Sequence, residues 1–410
     1  MRADLRLLGD DHAPSGDRGA QRLARALGVT RIARLTGLDR TGVEVASAVR
    51  PDGHVLQVTN GKGARFEEAA RGALHEAAEL WAAERPTLVM NHGASAREVA
   101  AHCAPEVLVL SHEDLFGPEA ALAPRTRCAW VHARTLADGR PALVPADAVH
   151  CLPAGGPLHP AWSRWTSNGM GAHPDRAAAL LHALLEAVER DRLARALPEG
   201  FTEEEVEARL LEPTTLAAAA PRTAALRAAL VARGFRVHLL DVSPRAPAPL
   251  RLRGRPRRPL RSGWTASSDT LDLGLPVAAA ILLDEEGGGV PVAAGYACRL
   301  SRDAALAAAL LEAAQSRATE IHGAREDVAF GDRGAAQPLA GLLDATRPRR
   351  PAAALPEVRA TSPAEAVRGV VRRLRRAGHD RAVAADLDAP AGLHVVKVLV
   401  PGLLVSELLL

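Results

Sequence analysis

Short alternating runs of apolar and polar residues open the chain. Val29–Leu35, Val43–Val49 and His54–Thr59 are β-rich and are separated by turns carrying Gly, Asp and Pro, the pattern of a meander. The loop expected at Asn60-Gly61-Lys62-Gly63 then leads into helical spacing from Phe66 to Glu84, closed by Pro86. A second helix is expected from about Asp175 to Leu197. Pro174 fits its first turn, where a missing N–H is harmless, and Pro198 stops it. Further strands are expected at Cys128–Arg134, Arg236–Asp241, Val277–Leu283, Val290–Ala297, Ala382–Asp386 and His394–Val400. Helices return at Ala304–Thr319 and Glu365–Ala377. The elements interleave without a strict βαβ rhythm and without a repeat of solenoid length, which predicts an α+β (mixed α/β) fold. Two subdomains, about 1–150 and 151–410, are expected.

Composition narrows the class. In 410 residues, 48% are hydrophobic and 24% charged, which excludes a disordered, collagenous or membrane protein. Charge is nearly balanced at +3, and only Lys62 and Lys397 among the 51 basic residues are lysines. Aromatics are 3%, too sparse for a base-stacking or sugar-stacking platform. Cys103, Cys128, Cys151 and Cys298 form no CxxC pair, so no zinc knuckle or redox dithiol is indicated. No signal-peptide core follows Met1, and the apolar run from Val395 is interrupted by Lys397, Pro401 and Glu407. The cytoplasm is therefore the expected compartment, with thiols reduced. One stretch is out of character: residues 244–262 are rich in Pro and Arg and are expected as an inserted surface loop rather than a nucleic-acid arm.

Two helices carry the candidate chemistry. The first has Glu76 and Glu79, the second Glu186 and Glu189, and residues three apart share a helix face. Around the first pair that face holds only Ala69, Gly72 and Ala73; around the second it holds His182 and Ala183. Unpaired acids on a buried face are costly. Four carboxylates converging on hard divalent cations would remove the cost, and an oxygen-only ligand set points to Mg²⁺ and hence to phosphates. Two solvated faces remain the other arrangement, since like-charge pairs there cost only about 0.2–0.5 kcal/mol each. Spacing alone leaves both open. His75-Glu76-Ala77-Ala78-Glu79 lacks the second His of a zincin, and Asn60-Gly61-Lys62-Gly63 lacks the spacing of a P-loop, although its N–H groups could face an anion.

Beyond spacing, the residues resemble the YcaO family, whose members use ATP to activate peptide backbone amides. The likeness runs, in order, through Val58-Thr59-Asn60-Gly61-Lys62-Gly63-Ala64 and Gly72–Glu79, then Ser167-Asn168-Gly169-Met170 and His182–Asp191. It continues through Glu312–Arg317, Ile321 and Gly323–Asp327, with Leu273-Gly274-Leu275-Pro276 and Val400-Pro401-Gly402-Leu403 as further landmarks. It implies a YcaO-like fold with an ATP and Mg²⁺ site between helices. Glu76, Glu79, Glu186 and Glu189 are then the metal carboxylates. Lys62, His182, Arg190, Gln315 and Arg317 are the nucleotide-side positions. Gly72, Gly171, Pro174 and Ala178 depart from residues common in the family and would remove nucleotide or metal contacts.

The resemblance further implies a reaction. A nucleophile adds to an amide carbon, the amide oxygen takes the γ-phosphoryl group, and phosphate leaves. A Cys, Ser or Thr of a precursor peptide yields an azoline; an external sulfur donor yields a thioamide. A separate partner for leader binding or sulfur delivery is expected, a homodimer is allowed, and no membrane is implied. The departures raise a second hypothesis: a catalytically reduced scaffold subunit serving an active partner.

Overall fold

The computed structural model describes residues 18–88, 93–123, 126–151, 165–197, 200–244, 272–326, 333–390 and 392–404. Pro198, most of the 244–262 insertion, Asp327 and Glu407 lie outside them. The elements, in order, are α1 (Arg18–Leu27), β1 (Arg31–Arg34), β2 (Glu44–Val49), β3 (Val58–Gly63), α2 (Phe66–Ala83), α3 (Ala96–His102) and β4 (Leu108–Val109). There follow α4 (His112–Phe116), β5 (Trp130–Thr135), β6 (Pro141–Pro145), β7 (Met170–His173), α5 (Arg176–Ala196), α6 (Glu203–Arg209), α7 (Leu216–Ala219) and α8 (Pro221–Val231). The chain continues with β8 (Phe235–Asp241), β9 (Val277–Asp284), β10 (Val292–Cys298), α9 (Arg302–His322), α10 (Arg333–Ala345), α11 (Pro363–Arg376), β11 (Val383–Leu387) and β12 (His394–Leu399). Among the described residues no helix is long and apolar enough to cross a membrane.

The strands form three sheets. Two are antiparallel meanders, β1-β2-β3 and β10-β9-β8; the third has the order β4-β6-β5-β11-β12-β7. That larger sheet takes β4–β6 from before residue 150 and β7, β11 and β12 from after it, so it straddles the expected subdomain boundary. The mixed α+β reading holds. Three long helices are the connectors: α2 packs on β2 and β3 and also on β7 and β12, α5 packs on β7 and β12 and also on β10, and α9 packs on β9 and β10 and also on β3. Sheets and helices thus alternate around a ring. The strands facing its centre, β3, β7 and β10, are each the edge of their sheet.

Local chemistry sets the helix starts. Asp175 caps α5 by accepting the Ala177 N–H at 2.8 Å, and Ser301 caps α9 through the Ala304 N–H. Pro174 therefore precedes the cap instead of occupying the first turn. The expected loop at Asn60–Gly63 is the second half of β3, paired in register with Glu44–Ser47. Glycines there signal a close approach, not a turn. Strand β6 was not foreseen because a proline stands at each end of it, and β7 because it has four residues.

Candidate functional site

Three strand–helix contacts build the site, and each needs a glycine. A Cβ on Gly61 of β3 would lie 2.0 Å from the Ala69 carbonyl oxygen of α2. One on Gly171 of β7 would lie 2.3 Å from the Ala179 oxygen of α5, and one on Gly295 of β10 would lie 2.2 Å from the Ala313 nitrogen and 2.4 Å from the Ala309 oxygen of α9. These are backbone atoms that cannot swing aside, so only glycine lets the helix lie this low on the strand. The three helices therefore share one register. Ala69 and Ala73, Ala179 and Ala183, and Ala309 and Ala313 are equivalent, and so are Glu76, Glu186 and Ser316, then Glu79, Glu189 and Thr319. One turn earlier stand Gly72, His182 and Glu312.

Edge strands present N–H groups that no neighbouring strand takes, and carboxylates take several of them here. Glu76 Oε2 accepts the Asn60 N–H of β3 at 2.9 Å. The Ala172 N–H of β7 bonds Glu79, and the Cys298 N–H of β10 donates to Glu189 Oε2 at 2.9 Å. On the third helix the equivalent of Glu79 and Glu189 is Thr319, whose hydroxyl accepts from the Asn60 side-chain amide at 2.8 Å. Helices α2 and α5 thereby each seal the edge of the next sheet around the ring, whereas α9 reaches the Asn60 side chain of β3.

These acids repel one another. Burial first, then Glu186 and Glu76, push the Glu79 carboxyl well above the ordinary range. Burial together with Glu189 and Glu312 raises Glu186 to about 7, against the pull of Arg190 and Lys397. Glu312 is the exception: although burial opposes it, Lys62, whose ammonium is 2.8 Å from Glu312 Oε2, holds it below the usual value. Its retained charge adds to burial in pushing Glu189 up.

Cations line the same walls. Although burial opposes it, Glu189, Glu186 and Glu312 keep Arg190 firmly charged, with its Nε 4.0 Å from Glu189 Oε1. Arg325 Nη1 lies 3.3 Å from Glu76 Oε1. His182 is open to solvent at the concave wall yet surrounded by protein; that crowding, with Arg299 and Lys62, pushes it down to about 4. Lys397 of β12 donates to the Thr166 and Asn168 carbonyls and is brought down to about 8 by its burial, against the pull of Glu186 and Glu79.

Most of the expected residues meet. Glu76, Glu79, Glu186, Glu189, Lys62, Arg190 and His182 fall in one cluster of interacting charges, and Gln315 follows Glu312 by one turn on α9. Arg317 does not join them. Its guanidinium is buried on the other side of α9, donating to Asp39 Oδ1 at 3.0 Å, to Asp284 Oδ2 at 2.7 Å and to the Val290 carbonyl. The structure adds Glu312, Lys397 and Tyr296, whose phenol beside Glu312 and Arg190 is raised to about 12, chiefly by burial. Glu312 was visible in principle, because it follows Ala309 as His182 follows Ala179. Gly171 ceases to be a loss, since a side chain there would strike α5. Gly72 is different: a Cβ would have ordinary contact only, 3.4 Å from Gly61 Cα, so a polar residue would fit and is absent.

Among the described residues no three His, Cys, Asp or Glu side chains enclose a single point as a metal cage. Mg²⁺ does not demand one: it takes one or two carboxylates and completes its shell with water and phosphate oxygens. Oxygen-only donors, with Glu79, Glu186 and Glu189 raised first by burial and then by neighbouring carboxylates, and flanked by Arg190 and Lys62, fit such an ion and its phosphates.

A family model described as YcaO cyclodehydratase, ATP- and Mg²⁺-binding, matches residues 60–404. The chain belongs to the YcaO family. An uncharacterized protein of Methanothermobacter thermautotrophicus is 29% identical over 412 residues, covering 92% of this chain and 90% of that one. The YcaO structure from Methanopyrus kandleri, bound with AMPPCP and Mg²⁺, superposes with a TM-score of 0.64 at 22% identity, covering 93% of this chain and 88% of that one. A heterocyclase in complex with substrate and cofactor gives a TM-score of 0.66 at 18% identity; 95% of this chain spans 53% of that protein, about half its length. These structural likenesses establish a YcaO fold, and ATP and Mg²⁺ are the cofactors of the family.

Proposed function

We propose that the cleft binds ATP with Mg²⁺ and that the protein uses it to activate backbone amides of a ribosomally made precursor peptide. The observation that carries this reading is the meeting of carboxylates from three helices beside Arg190 and Lys62. Glu76, Glu79, Glu186 and Glu189 would hold the metal, and Mg²⁺ bound there would offset triphosphate charge and polarise the transferring phosphoryl group. Arg190, Lys62 and His182 would orient the phosphates. Arg190 suits that role because its fork can grip two oxygens at once. Gln315 stands at the rim, and Arg317 is given no nucleotide role.

The chain's own work is positioning. It would bring the peptide amide and the γ-phosphoryl group together and exclude water, and no protein nucleophile is required. A nucleophile adds to the amide carbon, the amide oxygen accepts the phosphoryl group, and phosphate is expelled. The nucleophile would be a Cys, Ser or Thr of the peptide, giving an azoline, or an external sulfur donor, giving a thioamide, with a separate partner delivering sulfur or the leader. The expected compartment is the cytoplasm.

Glu186→Ala should abolish Mg·ATP binding measured by calorimetry. Unchanged nucleotide affinity would remove the site assignment. The scaffold alternative is favoured by Gly72, where a polar side chain would fit and none stands; ATP turnover by the isolated chain with its peptide would exclude it.

A further inference from the structure

Of the three helices that share one register, two carry an acid at its last position, Glu79 on α2 and Glu189 on α5. On α9 the same position is Thr319. Three buried side chains, from β2, β3 and α9, join there in one chain of hydrogen bonds. The Ser47 hydroxyl donates to Asn60 Oδ1. Asn60 Nδ2 donates to the Thr319 hydroxyl oxygen at 2.8 Å, and that hydroxyl gives its own proton to the Gln315 carbonyl at 2.8 Å. None of the three side-chain bearers is more than 5% exposed. The polarity allows one arrangement. The Thr319 proton is taken by its own helix, so toward Asn60 its oxygen only accepts. The Asn60 amide nitrogen must therefore face α9 and its carbonyl oxygen must face Ser47. Both ends of the amide are anchored, one to each neighbouring element.

The residue so anchored holds Glu76. The Asn60 backbone N–H donates to Glu76 Oε2 at 2.9 Å, while Arg325 Nη1 lies 3.3 Å from Glu76 Oε1. Each carboxylate oxygen has a protein partner and keeps a lone pair for a ligand. One residue earlier, the Thr59 hydroxyl donates to the Ala73 carbonyl at 2.8 Å, which ties strand to helix one turn before Glu76. Carboxylates that bind metal ions are held by outer hydrogen bonds of this kind, and losing one costs on the order of 10–100-fold in metal affinity.

Resting on the reading of the cleft as a nucleotide–metal site, we propose that Thr319 is a positioning residue for Glu76, acting through Asn60. The chain Ser47–Asn60–Thr319 fixes the Asn60 backbone N–H, and that N–H fixes the Glu76 carboxylate. The third helix thus gives up an acid at its last register position and supplies instead the hydroxyl that orients an acid on the first. Metal binding on α2 thereby depends on the seating of α9.

Mn²⁺ affinity, read by electron paramagnetic resonance on the full chain with and without a non-hydrolysable ATP analogue, tests this apart from turnover. Thr319→Val is close in shape and removes the acceptor; it should weaken Mn²⁺ binding about tenfold. Thr319→Ser keeps the hydroxyl and should stay within about threefold of the wild type. In a Glu76→Gln background, Thr319→Val should add less than about twofold, because the acid it positions is already gone. Should Thr319→Val not fold, Ser47→Ala, which frees the other end of the Asn60 amide, is read in the same way. Wild-type affinity in the variant would overturn the proposal and leave the metal site standing. So would an equal loss in the wild-type and Glu76→Gln backgrounds, which a merely structural role would produce. An absence of Mn²⁺ uptake in the wild type, with and without the analogue, would overturn the site reading and the proposal together.

Discussion

Glu312 and Arg317 stand little more than one turn apart on α9, yet they belong to opposite kinds of charge cluster. Around Arg317, every charge has a match: Asp284 is shared by Arg317 and Arg40, and Asp39 takes another donor from Arg317. Both guanidiniums also lie over the Phe235 ring, at 5.1 and 4.5 Å. Although burial opposes it, the bond from Arg40 and the charge of Arg317 hold Asp284 down at about 2. Around Glu312 the balance is reversed. Glu79, Glu186 and Glu189 are all pushed up, because burial and one another's charge outweigh the cations present. The same residue types thus do two jobs. A matched cluster holds the fold, and a mismatched one stores unfavourable charge that a cationic ligand can relieve.

The contrast can be broken most forcefully at its matched side. Asp284→Ala would leave the buried Arg317 and the partly exposed Arg40 without their shared carboxylate and should cost about 3 kcal/mol in chemical denaturation. A loss below about 1 kcal/mol would mean that the cluster is not holding the fold. Glu186→Gln should act in the opposite direction: the nucleotide-free protein gains on the order of 1 kcal/mol at pH 8, as happens when a strained functional group is neutralised. Destabilisation by the same change would erase the distinction.

The pH dependence sharpens the same point. With Glu186 at about 7 when folded and near 4.5 when unfolded, the folded chain keeps a proton that the unfolded chain has lost between those values. Its contribution to stability therefore falls as pH rises from about 5 to about 7. Asp284 behaves oppositely: its contribution is present above the ordinary aspartate value and is lost as pH falls toward about 2. Denaturation of wild type and Glu186→Gln between pH 5 and pH 8 should give a flatter profile for the variant; parallel profiles would contradict the assignment. The smallest effect belongs at the rim of the matched cluster. Glu286 lies 3.6 Å from Arg40 but is 66% exposed, so Glu286→Gln should change stability by less than about 0.5 kcal/mol.

Much of the fold was legible. The long helices α2, α5 and α9 and the strands β2, β8, β9, β11 and β12 lie within a few residues of their expected places, because each carries either a helical period or a mostly apolar run of strand length. Other misses came from partners distant in the chain. Asn60–Gly63 reads as a loop because glycine usually marks a turn, and only the close approach of α2 shows why glycine is needed inside a strand. Arg317 sits in a segment that resembles the nucleotide motif, yet its partners, Asp39 and Asp284, come from distant parts of the chain and bury it elsewhere. Lys397 looked like a mere interruption of an apolar run.

Unaided, the amino-acid order determined that two helices carry paired acids on thinly covered faces and that glycines precede each of them. Helical period reports which residues share a face. It does not report what that face meets. Tertiary structure alone decided that the acids of α2 and α5 converge, that α9 contributes Glu312, and that Lys397 is buried against the Thr166 and Asn168 carbonyls. The reason is physical: unpaired amides on one sheet's edge are satisfied by a carboxylate from a helix far away in sequence, and no local pattern records such a partner.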